Sequence, residues 1–332
     1  MGLLRSTGYL LAGATAGYAL SVLVPALKDA ARAKATDPDS REPLPVPYTF
    51  LSGALREIIT PGSALLGAND WSCSPSPTRP RPVILLHGTA GSGATNWATF
   101  GPLLHNEGYC VFTLTYGARP GAAWPISELG GLANIAEVSV PEVCEFVDRV
   151  LAATGADQVD LVGHSQGTVV AGLVAKFGRP GLVHQVVSIS PLWNGSGGDF
   201  SLHALCALPG GREQAERLIP PVLEQVSPGS RLLRELWTGD TPYAPGVRYT
   251  NIASRYDGAI WPFDSGLVPG PQVTNILVQD GCDRDFSDHV AMASSPRVAD
   301  FVLSALDPDT PRVPRCVAIA PIHGPIRGRD RL

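Results

Sequence analysis

In the stretch "VDLVGHSQGTVVAGLVAKF", Val159 to Phe177, one serine stands between two glycines: Gly163, Ser165 and Gly167 alternate with His164 and Gln166. Val159 to Val162 is an apolar run broken only by Asp160, and it reads as a buried strand. After Ser165 the apolar residues Val169, Val170, Leu173, Val174 and Phe177 recur at helical spacing. A serine at such a junction often does no more than cap the helix. That reading leaves Gly163 and Gly167 unexplained. A nucleophile elbow explains both: a strained turn lifts the serine hydroxyl clear of the sheet, and small neighbours let strand and helix approach closely.

A serine hydroxyl is a poor nucleophile near neutral pH, so the elbow needs a base and a group that orients it. After such an elbow, the acid and then the histidine follow in the chain, each on a loop at the carboxyl end of a strand. Asp257, in "YTNIASRYDGAIWP", comes directly after the apolar run Val247 to Ser254. Asp264 lies further out, past Pro262, and Asp280, Asp283, Asp285 and Asp288 cluster beyond the next strand. His289, in "QDGCDRDFSDHVAM", follows the run Val273 to Val278 and precedes a final amphipathic segment. His105, His184, His203 and His323 follow no suitable strand, while His87 and His164 sit in positions that shape turns. Ser165, Asp257 and His289 are therefore the expected triad, suited to attack on an acyl carbon. The tetrahedral oxyanion of that attack needs preorganised donors. The N–H of Gln166, next to the serine, is one. Thr89, in the glycine-rich turn after "VILLHG", is the expected second, through its N–H and also its hydroxyl.

The elements that must position these residues alternate. Val83 to Gly88, Cys110 to Tyr116, Val159 to Val162, His184 to Pro191, Val247 to Ser254 and Val273 to Val278 read as strands. Helical patterns fall between them, near residues 95–105, over 135–153 and over Pro296 to Leu306. Ser139 and Glu142 have the spacing of a capping box around Pro141, although Ile135 and Val138 suggest an earlier start. The alternation predicts an α/β fold with a mainly parallel sheet covered by helices on both faces. Residues 192–246 interrupt it as an excursion over the sheet edge, with helical pieces near Glu213 and Ser230. Residues 70–306 form the expected catalytic domain. Residues 34–69 read as linker and lead-in, and 307–332 as an irregular tail.

At 332 residues and a formal net charge of −5, the chain can bury a large core and shows no basic footprint for nucleic acid. Arg5 precedes a charge-free apolar run from Ser6 to Leu27, followed by Ala31-Arg32-Ala33. This fits a secretory signal over 1–33, with an uncleaved membrane anchor as the alternative. Six cysteines behind such a segment suggest disulfides. Cys73 precedes the first strand and Cys110 opens the second, so neighbouring strands would bring them together. Cys206 with Cys282 is the second expected pair, with Cys144 and Cys316 unassigned.

The stretches "PVILLHGTAGSGATNWATFGPLLHNEGYCVFTLTYG", "VDLVGHSQGT", "YTNIASRYDGAIWPFDSG" and "VTNILVQDGCDRDFSDHVAM" resemble secreted actinobacterial lipases of the class 2 lipase type. They are more distantly similar to the yeast lipase B enzymes. The resemblance implies an α/β-hydrolase fold, hydrolysis of carboxylic esters or acylglycerols, and no cofactor. It places Ser165, Asp257 and His289 on the family triad, Thr89 and Gln166 on its oxyanion hole, and points to the same Cys73–Cys110 pair. An ester substrate, in solution or at a lipid–water interface, is the expected partner, and no specific protein partner is expected. Two other readings stay open: an acyltransferase using the same triad, and an exported binding protein on a hydrolase scaffold.

Overall fold

Alternation of apolar side chains sets the layers. Val83 and Leu85 of the first strand point into one core, while Ile84 and Leu86 point into the other. Val187 and Ile189 of the fourth strand belong with the first core, and Val186 with the second. A strand buried on both faces needs cover on both, which is the condition for a parallel α/β sheet. The computed structural model describes residues 43–59, 64–119, 121, 126–197 and 222–326, with positions 24, 27, 28 and 31.

The elements in chain order are α1 (Phe50–Ile59), β1 (Val83–Leu86), α2 (Gly93–Asn96), α3 (Phe100–Asn106), β2 (Val111–Thr113), α4 (Val140–Thr154), β3 (Val159–His164), α5 (Gln166–Leu173), β4 (Val183–Ile189), α6 (Val222–Gln225), α7 (Arg231–Leu236), β5 (Arg248–Ala253), β6 (Val273–Leu277), α8 (Pro296–Leu306), and the short β7 (Ile319–Ala320) and β8 (Gly324–Pro325). Six strands form one parallel sheet in the order β2-β1-β3-β4-β5-β6, and β7 pairs with β8 antiparallel. The chain leaves β1 for β2 on one side and returns to β3 on the other. The carboxyl ends of β1 and β3 therefore meet at the point where strand order reverses, where open α/β sheets bind ligands.

Several local expectations are corrected. β2 stops at Thr113 rather than Tyr116, because the next amides leave the ladder: Tyr116 N–H donates to His87 Nε2 at 3.2 Å. The capping box at Ser139 does not form. A π-helical turn, Ile135–Ser139, precedes α4, Asn134 caps it by accepting from Glu137 N–H, and Glu142 accepts from Gly117 N–H at 2.7 Å instead. The segment read as linker and lead-in contains α1, and a Cβ on Gly53 would sit 2.4 Å from Thr95 O, so α1 is pressed against α2. Leu65 from that segment joins the core beside Trp97 and Phe100. The tail read as irregular carries the β7–β8 hairpin.

Cys73 and Cys110 form a disulfide with Cα atoms 5.7 Å apart. The second expected pair is overturned: Cys282 bonds Cys316, with Cα atoms 5.5 Å apart. Arg315 explains how the tail reaches that point, since its guanidinium pairs with Asp300 of α8 at 2.8 Å. Cys144 is a free, buried thiol, and Cys206 lies outside the described residues. So do most of the 1–33 segment, residues 32–42 and the middle of the excursion, 198–221, including Glu213. Ser230 caps α7 by accepting from Leu233 N–H. Among the described residues, no helix is long and apolar enough to cross a membrane.

Candidate active site

Ser165 sits at φ 55°, ψ −123°, between the end of β3 and the start of α5. Non-glycine residues rarely adopt positive φ, and here the surrounding bonds hold it. Ser165 N–H donates to Ile189 O at 2.9 Å, while Ser165 O accepts from both Thr168 N–H and Thr168 Oγ1. The flanking glycines are required by close approach. A Cβ on Gly167 would lie 2.1 Å from Leu86 O, and one on Gly163 would lie 2.6 Å from Gly167 O. Helix α5 thus rests directly on the backbone of β1 and β3, which aims the serine at the carboxyl end of the sheet.

Three loops bring side chains to that point. His289, on the loop between β6 and α8, places Nε2 2.9 Å from Ser165 Oγ. Its Nδ1 lies 2.9 Å from each carboxylate oxygen of Asp257, on the loop after β5. Asp257 is 5% exposed. Its Oδ1 also accepts from Ala259 N–H at 3.0 Å and Ile260 N–H at 2.9 Å, so the loop's own backbone clamps the carboxylate. Burial pushes the Asp257 carboxyl upward, but the charge and hydrogen bond of His289, with the Ile260 amide, outweigh it and leave the group lowered. A carboxylate acceptor on Nδ1 fixes the proton there, and the Nε2 lone pair faces the serine hydroxyl.

The acid and histidine loops are latched to each other. Gln279 accepts from Arg255 N–H at 2.9 Å and donates to Asp285 O at 2.9 Å and to Ser254 Oγ at 3.0 Å. The C-terminal hairpin braces the histidine loop: Phe286 N–H donates to Ile319 O, and Asp288 accepts from Ile322 N–H at 3.1 Å. Asp285 is turned inward to Ser287 and Ser295.

The Thr89 loop abuts the serine. A Cβ on Gly88 would stand 3.1 Å from Ser165 Cβ. Gln166 opens α5, so its N–H has no partner within the helix. Its side chain is fully buried and donates to Gly131 O at 3.3 Å. A Cβ on Gly131 would lie 2.3 Å from Gln166 Oε1 and 3.2 Å from Thr89 Cα, so both candidate donors flank this one glycine. His87 stacks on Tyr116 at 4.2 Å beneath the loop. Its Nδ1 lies 2.8 Å from Gly88 O. Burial lowers its pKa to about 4, so it serves there as a neutral strut.

All five residues expected from the sequence thus gather at one end of the sheet. The latch residues Ser254 and Gln279, the clamp from Ala259 and Ile260, and the contacts of His164 and Asn96 with this site carry no local signature. The clamp acts within one turn of chain, whereas the others act across long sequence separations, 125 residues for His164 and the His289 carbonyl.

A sequence model described as "alpha/beta hydrolase fold" matches residues 81–215. A lipase from Drosophila melanogaster, Lipase 3, is 32% identical over 129 residues, covering 34% of this chain and 32% of that protein. The chain thus aligns with about a third of the length of that relative. Among solved structures, Bacillus licheniformis lipase BlEst2 in its propeptide form superposes with TM-score 0.51 at 14% identity, over 74% of this chain and 54% of that one. The mature form gives TM-score 0.48 at 14% identity, over 70% and 93%. With the six-stranded parallel sheet, the sequence-model match and the propeptide-form superposition establish the α/β-hydrolase fold.

Proposed function

We propose that this chain is a serine hydrolase that cleaves carboxylic esters, of the lipase or esterase kind, through Ser165, His289 and Asp257. The observation that carries this reading is the unbroken chain of contacts at the switch point of the sheet: Ser165 Oγ to His289 Nε2 at 2.9 Å, and His289 Nδ1 to Asp257 at 2.9 Å. The lipase names of the proteins it resembles support the same substrate class.

The chemistry follows from those contacts. His289 Nε2 takes the Ser165 hydroxyl proton as Oγ bonds to the acyl carbon, and the carbonyl π pair moves onto oxygen. The N–H groups of Gln166 and Thr89 receive that oxyanion, and losing one such donor typically costs about 3 kcal/mol of barrier. The carbonyl re-forms, the ester C–O bond breaks, and His289 passes its proton to the departing alcohol. Water then attacks the acyl-enzyme by the same route, giving carboxylic acid and free Ser165. Asp257 stays ionised throughout; it holds the tautomer and stabilises the imidazolium.

Two disulfides among the described residues fit an oxidising compartment, and with the expected export segment they support a secreted or cell-envelope enzyme. The test is hydrolysis of p-nitrophenyl esters from acetate to palmitate. Turnover by the wild type that vanishes in Ser165→Ala and His289→Ala supports the reading. Equal turnover in wild type and Ser165→Ala overturns it.

A further inference from the structure

His164 is the last residue of β3 and immediately precedes Ser165, yet it takes no part in the chemistry described above. It is 4% exposed. Its Nε2 lies 3.0 Å from the main-chain carbonyl of His289, and its Nδ1 lies 3.0 Å from Asn96 Oδ1 on α2. The two imidazole rings stand 4.9 Å apart, and Trp97 closes the far side edge-on. Asn96 in turn contacts Gly88 N–H at 3.3 Å. One buried imidazole therefore touches the backbone of the histidine loop and the Asn96 side chain of α2.

The protonation of this ring is decided by its surroundings. Burial, reinforced by the charge of His289, lowers its pKa to about 3, so the ring is neutral at ordinary pH and has one N–H to give. The His289 carbonyl can only accept. The Asn96 amide can serve either way by turning, and its Nδ2 otherwise has no partner in a buried site. The carbonyl therefore sets the proton on Nε2, donating to His289 O. Asn96 then turns its amide N–H to Nδ1 and gives up the long 3.3 Å bond that its Oδ1 accepts from Gly88 N–H.

We propose that His164 is a positioning residue for His289: its Nε2–H holds the His289 main chain so that the imidazole stays aligned on Ser165 and Asp257 at once. This rests on the triad reading above. His289 is on a loop and its side chain is 18% exposed, so it lacks a packed wall on its open side. Strand β3 lies inside the sheet, between β1 and β4. A hydrogen bond from that strand fixes the loop to the most rigid part of the scaffold. Misplacement of a catalytic group by about 1 Å can cost about a hundredfold in rate, so one anchoring bond is consequential.

The test compares His164→Met with His164→Gln, side chains of similar size of which only glutamine keeps a donor. We expect His164→Met to lower kcat by about tenfold or more with KM within about twofold, and His164→Gln to recover most of the loss. The His289 Nδ1–H resonance, hydrogen-bonded to Asp257, should broaden in the methionine variant and sharpen again in the glutamine variant. Equal kcat in the two variants overturns the proposal, whether both are active or both impaired. If neither variant folds, nitrogen NMR of the wild type decides: His164 protonated at Nε2 and coupled to the His289 carbonyl supports it, and protonation at Nδ1 overturns it. The spectrum needs no substrate. Failure of ester hydrolysis in the wild type, or equal turnover in Ser165→Ala, would condemn the triad reading separately.

Discussion

Replacing Asp257 by asparagine should invert the tautomer of His289. The two carboxylate oxygens have different duties. Oδ1 accepts from Ala259 N–H and Ile260 N–H as well as facing His289, whereas Oδ2 faces His289 at 2.9 Å. In Asp257→Asn the carbonyl oxygen must stay on the two backbone amides, since an NH2 group there would meet two donors. The amide nitrogen then occupies the Oδ2 position, 2.9 Å from His289 Nδ1. The carbonyl oxygen, also 2.9 Å from Nδ1, already accepts two N–H bonds, so Nδ1 becomes the acceptor of the amide N–H and the proton moves to Nε2. Nε2 now donates to Ser165 Oγ and cannot take its proton. Where a buried triad aspartate has been changed in this way, kcat drops by about 10⁴ with the geometry intact. A loss of about 10³ to 10⁴ is expected here in p-nitrophenyl ester turnover, with KM nearly unchanged and the thermal midpoint close to that of the wild type. Asp285→Asn serves as the comparison, because Asp285 bonds Ser287 and Ser295 rather than His289. Asp257→Asn within tenfold of wild type, or Asp285→Asn as the more damaged of two folded variants, would refute the assignment of the acid.

Gly167→Ala should destabilise the protein by at least the upper end of the about 1–3 kcal/mol typical of overpacking, because the new Cβ would meet Leu86 O at 2.1 Å and His87 O at 2.8 Å, both backbone; urea unfolding measures it, and a wild-type midpoint with full activity would contradict the tight elbow. Thr89→Val keeps the N–H and removes the hydroxyl, so kcat should fall about tenfold or more if the hydroxyl donates; an unchanged kcat leaves Thr89 as a backbone donor. Stability should decline as pH falls from about 6 to about 4. His87 and His164 have folded pKa values lowered from 6.5 to about 4 and about 3, so the unfolded chain takes up their protons first. Asp160, raised from 3.8 to about 6, works in the opposite sense and cancels roughly one of them. The slope from these three groups is about 1.4 kcal/mol per pH unit, and the half-buried His184, also lowered to about 4, steepens it in the same direction. It is readable from unfolding at each pH, and stability rising on acidification would reverse the sign and refute it.

The sheet and the tight turn at Ser165 were legible in the sequence because both rest on local signals. Alternating apolar runs gave the six strands, and Gly163 and Gly167 announced a close approach between strand and helix that the 2.1 Å and 2.6 Å spacings make concrete. Asp257 and His289 followed from element order alone. What was not legible depends on distant partners. Leu114 to Tyr116 continue a strand-like pattern, but Tyr116 N–H bonds the side chain of His87 and the ladder ends. Ser139 and Glu142 have the spacing of a cap, yet Glu142 turns to Gly117 N–H. Cys316 reaches Cys282 because Arg315 is anchored on Asp300, a pairing no spacing rule contains. His164 reads as a turn residue, and its bond to the His289 carbonyl depends on how the β3 and β6 ends meet in space.

On the proposed mechanism Ser165 carries the acyl group during turnover. Acid-quenched intact-mass and peptide mapping, after mixing the protein with a slowly hydrolysed p-nitrophenyl ester, reads this out. One acyl group per chain is expected, on the peptide containing Ser165, formed in step with the first burst of p-nitrophenol and absent in Ser165→Ala. Acylation of another residue with equal turnover in Ser165→Ala, or turnover of Ser165→Ala at the wild-type rate, would contradict it.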